Sequence, residues 1–67
     1  MHGNADSAID KLARDAVYAA EGHGTVDVRE RLAAIQLHYG LSDSEADRRY
    51  QSAFAEAHKA YLETLAA

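Results

Sequence analysis

The stretch Gly40-Leu41-Ser42-Asp43-Ser44-Glu45-Ala46 holds the signal that ends one helix and, two residues later, the signal that starts another. Glycine enters the left-handed conformation that closes a helix without steric cost. Ser42 and Glu45 have the spacing of a capping box, in which the hydroxyl accepts from the Glu45 amide and the carboxylate reaches back to the Ser42 amide. Leu41 and Ala46 take the staple positions on either side of the cap and fix the angle at which the chain enters the helix. Two helices must therefore meet at a corner here. No proline interrupts the 67 residues and 15 of them are alanine, so the segments on both sides favour long helices.

Three helices follow from the periodicity, at about 7–21, 26–39 and 43–65. The first has Asp6 or Ser7 as its N-cap and carries one apolar stripe, Ile9, Leu12, Ala13, Ala16, Val17 and Ala20. Residues 1–6 read as a flexible leader. Gly22-His23-Gly24 ends this helix in a loop. Asp27 with Glu30 makes a second capping box, Thr25 being the other possible cap. Beyond it, Val28, Leu32, Ile35 and Tyr39 line one side while Val26, Ala33 and Leu37 lie nearly opposite. A helix apolar on two sides is central in its fold or lies in an oligomer interface.

The third stripe runs Ala46, Tyr50, Ala53, Phe54, Ala57, Ala60, Tyr61, Leu65 over a rod of roughly 33 Å. Two shorter companions cannot cover all of it, and Leu62 is a further apolar side chain off the stripe. The fold class is all-α, a single domain with antiparallel neighbours. Because few large apolar residues are available in so short a chain, association into a homodimeric bundle is expected. The interface residues expected for it are Val26, Ala33, Leu37, Phe54, Tyr61, Leu62 and Leu65.

Catalytic, cofactor and metal sites are not expected. The chain has no cysteine, which removes thiolate metal sites and a cysteine nucleophile. His2 falls in the leader and His23 in the loop, while His38 and His58, on helices, have no ligand-type residue at i+3 or i+4, so only a pair made by His38 and His58 across the corner is conceivable. Ser7, Ser42 and Ser44 are accounted for as helix starts, and no glycine-rich phosphate loop occurs. The carboxylates fall on polar faces and in first turns, where solvation keeps them ordinary.

A formal charge of −4 and a pI near 5.4 oppose general binding to nucleic acid or anionic lipid. No apolar run approaches the ~18 residues of a membrane span. Met1-His2-Gly3-Asn4 lacks the basic and apolar parts of a signal peptide, so a cytoplasmic location is expected. The corner over 32–54 nevertheless has the outline of a helix-turn-helix, with Arg48 and Arg49 in the first turns of the second helix and Arg29 and Arg31 available for phosphates. The acidic residues Asp43, Glu45 and Asp47 beside it oppose a phosphate backbone.

The run Thr25-Val26-Asp27, Glu30-Arg31, Tyr39, Leu41-Ser42-Asp43, Glu45, Tyr50 is similar to a stretch of the small Hha/YmoA-type nucleoid modulators, with a gap beside Tyr39. It covers only the middle of the chain and shares residues that any capping box uses, so it identifies no family. Such a resemblance implies a helical protein acting through another DNA-binding protein. The residues themselves point to a non-enzymatic protein–protein interaction module, self-associating or docking on a partner as an adaptor or regulator. The alternative is a DNA-binding or transcription-modulating protein that uses the corner.

Overall fold

The computed structural model describes residues 4–66, and it holds three α-helices with no strand among them. Residues 1–3 of the expected leader, His2 included, lie outside the described residues. Helix α1 spans Ala5–Ala20, α2 Val28–Tyr39 and α3 Asp43–Ala66.

Helix α1 starts earlier than the sequence reading places it. Asn4 is the N-cap, with extended backbone and a side chain that accepts from the Ser7 amide at 2.8 Å. Asp6 and Ser7, the expected caps, are inside the first turn, as is Ala5, which is itself buried. Asparagine satisfies an orphan helical amide as well as aspartate or serine does. At the other end Gly22, at φ 91°, lets the amides of Gly22 and His23 return to the carbonyls of Ala19 and Tyr18. That is the Schellman closure.

The corner forms as its residues dictate. Gly40 sits at φ 71°, and the Gly40 and Leu41 amides both donate to the Gln36 carbonyl, at 2.8 and 3.0 Å. Ser42 Oγ accepts from the Glu45 amide at 3.1 Å. The Glu45 carboxylate, however, turns along its own helix to the guanidinium groups of Arg48 and Arg49. Of the two staple positions, Ala46 is fully buried and Leu41 half-buried.

Helices α1 and α3 lie parallel and in register. Asp6 meets Arg49 and Tyr18 meets Tyr61, so the same offset of 43 residues holds at both ends of the contact. Helix α2 runs in the opposite sense: Arg31, near its start, reaches Asp15 late on α1, and Gln36, near its end, reaches Asp43 at the start of α3. The packing is unequal. The α1–α3 contact is the broadest, α1–α2 follows, and α2 barely touches α3.

The core belongs to α1, not to α2 as its two-sided pattern suggests. Ile9, Leu12, Ala13, Ala16 and Val17 are buried along one stripe, joined by Ala5 and by Ala46 of α3. Helix α2 buries none of its residues. The alanines of the α1 stripe let both neighbours approach its backbone, which gives dense contact from few large side chains. Helix α3, about 36 Å long, sets the longest dimension of 38 Å. At the offset of 43 residues Ala20 comes level with Glu63, so the end of α3 outruns α1.

Candidate interaction surface

What the core leaves uncovered falls into two regions. The first is the outer side of α2. Asp27 caps this helix by accepting from the Glu30 amide at 3.0 Å, and the helix then presents Val28, Leu32, Ile35 and Tyr39 inward, each half-buried. The opposite side carries Ala33, Ala34 and Leu37, all exposed, with Leu37 at 88%. Leu37 and Ala33 border a shallow depression of about 380 Å³ with Gln36, Gly40, Leu41 and Asp43. Val26 is not part of this face. It precedes the Asp27 cap and lies half-buried in the connection, beside Tyr18 and Arg31 in a crevice below α1. The periodicity that groups it with Ala33 and Leu37 assumes a helix two residues too long.

The second region is the far end of α3. Leu62 and Leu65 are 50% and 63% exposed, and Tyr61 is half-buried against Tyr18 in an edge-to-face pair at 5.7 Å. Tyr18, itself 53% exposed, makes a second such contact with His23 of the loop at 6.0 Å. Tyr18 was not among the residues singled out from the sequence. Its signal was present, since it is a large side chain standing beside the α1 stripe rather than on it. Phe54 joins a ladder with Tyr50 and His58 along one side of α3, at centroid spacings of 5.9 Å, and is half-buried there. Phe54 is thus partly covered, whereas Leu62 and Leu65 project from the surface.

The arginines are not equivalent. Arg31 donates to Asp15 Oδ2 at 2.9 Å, a carboxylate that Lys11 also approaches at 3.3 Å. The Arg31 hydrogen bond leads, and with Lys11 it holds the Asp15 carboxyl below the usual range despite opposing desolvation. Arg49 donates to Glu45 Oε2 at 2.6 Å and to Asp6 Oδ1 at 3.0 Å, tying the start of α3 to the start of α1. Arg49 and then Arg48 pull the Glu45 carboxyl down, and Glu45 in turn raises the Arg49 guanidinium. Arg29, on the flank of α2, is exposed and forms no ion pair among the described residues.

A wide-open depression of about 550 Å³ lies between α1 and α3, lined by Asp6, Asp10 and Glu56 together with Arg48 and Arg49. Both arginines are already engaged, Arg49 by Asp6 and Glu45 and Arg48 by Glu45, as is ordinary on a solvated face. Among the described residues no three histidine, aspartate or glutamate side chains converge as metal ligands. His38 stacks edge-on to its neighbour Tyr39 at 4.6 Å and His58 leans on Phe54, each along its own helix. Among the described residues no helix is long and apolar enough to cross a membrane. Comparison with protein-family models, with curated proteins and with solved structures gave no match to this chain.

Proposed function

We propose that this chain is a small non-enzymatic interaction module of the cytoplasm, one that associates with a second copy of itself or docks on a partner protein as an adaptor or regulator. The observation that carries the reading is Leu37: a leucine 88% exposed on a helix that buries nothing of its own. Leu62 and Leu65 at the other end of the molecule add to it. Burial of one such side chain gains about 1.5–3 kcal/mol, which the protomer alone forgoes. A short chain with a seven-residue core has much to gain by association.

The DNA-binding alternative draws less support. Arg31, Arg48 and Arg49 are each engaged by carboxylates, and the two helices of the corner barely pack together, unlike a helix-turn-helix unit. Sedimentation equilibrium over a wide concentration series tests the proposal, with a concentration-dependent rise in mass expected. A folded monomer at every concentration, whose behaviour is indifferent to polar replacement of Leu37 and Leu65, counts against it. Retention of a random duplex at low salt, lost as salt is raised, would favour the alternative instead.

A further inference from the structure

The geometry of α2 points to one arrangement of two copies. We propose that the chain forms a two-fold dimer in which α2 packs antiparallel on the partner's α2, with Leu37 seated on the partner's Ala33 and Arg29 paired with the partner's Asp43. This rests on the self-association reading above and specifies its surface.

Around α2, at ~100° per residue, Ala33 and Leu37 lie within about 40° of each other and form the crest of the exposed side. Arg29 and Gln36, seven residues apart, share one flank of that crest, about 20° from each other. Gln36 Nε2 donates to Asp43 Oδ1 at 2.7 Å, which holds Asp43 on that same flank at the far end of the helix. The flank therefore carries an unpaired cation at its start and a carboxylate at its finish.

A two-fold axis lying in the contact plane, perpendicular to the helices, reverses their direction but leaves a flank on its own side. Each Arg29 is thereby brought alongside the partner's Asp43, and the pair occurs twice, as an isologous contact requires.

The axial levels agree as well. The Gln36 hydrogen bond holds Asp43 at the C-terminal end of α2, on the other side of position 35 from Arg29. The midpoint of Ala33 and Leu37 is 35. The charge pair thus straddles the axis that the knob-on-alanine match requires, with Arg29 before it and Asp43 after it. Alanine at 33 and 34 is what allows two helices to come close there. Glu30, seven residues before Leu37, lies about 20° from it on the same crest, and its counterpart across the axis is the Gly40–Leu41 turn, so it meets no like charge of the partner's α2 there.

The test is a charge exchange read by sedimentation equilibrium on the full chain. Leu37→Glu, at a position too exposed to matter for the fold, should abolish the dimer. Arg29→Asp and Asp43→Arg should each weaken it by roughly five- to thirtyfold, since each removes two pairs and adds two repulsions. The double variant should return to within about threefold of the parent, because both pairs are restored in reverse. Circular dichroism establishes that each variant is helical, and if Asp43→Arg loses its helix start, Leu37→Glu and Arg29→Asp decide the matter. A parent chain that never dimerises overturns this arrangement together with self-association. A parent that dimerises with all of these variants unaffected overturns the arrangement alone, and Leu62→Glu or Leu65→Glu should then dissociate it.

Discussion

Two leucines of one chain, truncated the same way, should behave as opposites. Leu12 is completely buried on α1, and Leu37 is 88% exposed on α2. Leu12→Ala removes three carbons from the centre of the core, about 2.4 kcal/mol at ~0.8 kcal/mol per buried carbon. The space left in the core cannot collapse fully, which raises the cost to roughly 3–4 kcal/mol. A chain of this length has a total stability of about 3–10 kcal/mol, so a third or more of it disappears. The melting temperature should fall by roughly 12–32 °C.

Leu37→Ala forgoes only the buried eighth of the same transfer energy, about 0.3 kcal/mol. Alanine's better helix propensity offsets most of that. Urea melts followed by far-UV circular dichroism, at about 2 µM and about 200 µM protein, read both effects. At the lower concentration the Leu37 variant should match the parent within ~0.3 kcal/mol. At the higher one it should fall behind, because a dimer stabilises only the chain that forms it. A loss above about 1 kcal/mol for Leu37→Ala at the lower concentration would show that the protomer itself covers α2, and the reasoning about a surplus face would fail. A loss below about 1 kcal/mol for Leu12→Ala would remove α1 from the centre of the fold.

Three further outcomes follow from the corner and the charges. Gly40→Ala meets no atom within 4 Å but must hold φ 71°, so it should cost about 1 kcal/mol in a urea melt, and Gly40→Asn less. Folding depresses the Glu45 and Asp15 carboxyls, so the stabilisation they give is present above their unfolded values and is lost as pH falls through the depressed ones. Acid melts should therefore weaken below roughly pH 4, and Glu45→Gln, which keeps the helix start, should flatten part of that slope. Burial raises the Tyr50 phenol, so the sign is reversed: its contribution is intact below the ordinary tyrosine value and is lost as pH climbs through the raised one. An absorbance titration should show a late tyrosine component that Tyr50→Phe removes.

The helices were legible because their ends are written in local chemistry. Gly40, Ser42, Glu45 and Asp27 act within a few residues of themselves, and a reader of the sequence needs no partner to place them. Asn4 was just as local, but Asp6 and Ser7 beside it are equally good caps, and only the burial of Ala5 decides among the three. What no periodicity shows is which helix stands between the other two. Helix α2 has apolar residues on two sides and α1 on one, so the pattern favours α2 as the centre, whereas packing favours α1 because its stripe alternates large side chains with Ala13 and Ala16. A helix lined this way accepts two neighbours at close range on a single face, and a second apolar side is then unnecessary for centrality. The offset of 43 residues between α1 and α3 follows from that packing and has no counterpart in either helix read alone. The same reasoning explains why Leu37 counts as a surface signal. Once α1 satisfies both neighbours, the second side of α2 has no remaining task inside the protomer, and its leucine, its paired alanines and the uncommitted Arg29 lie on ground that the fold itself does not use.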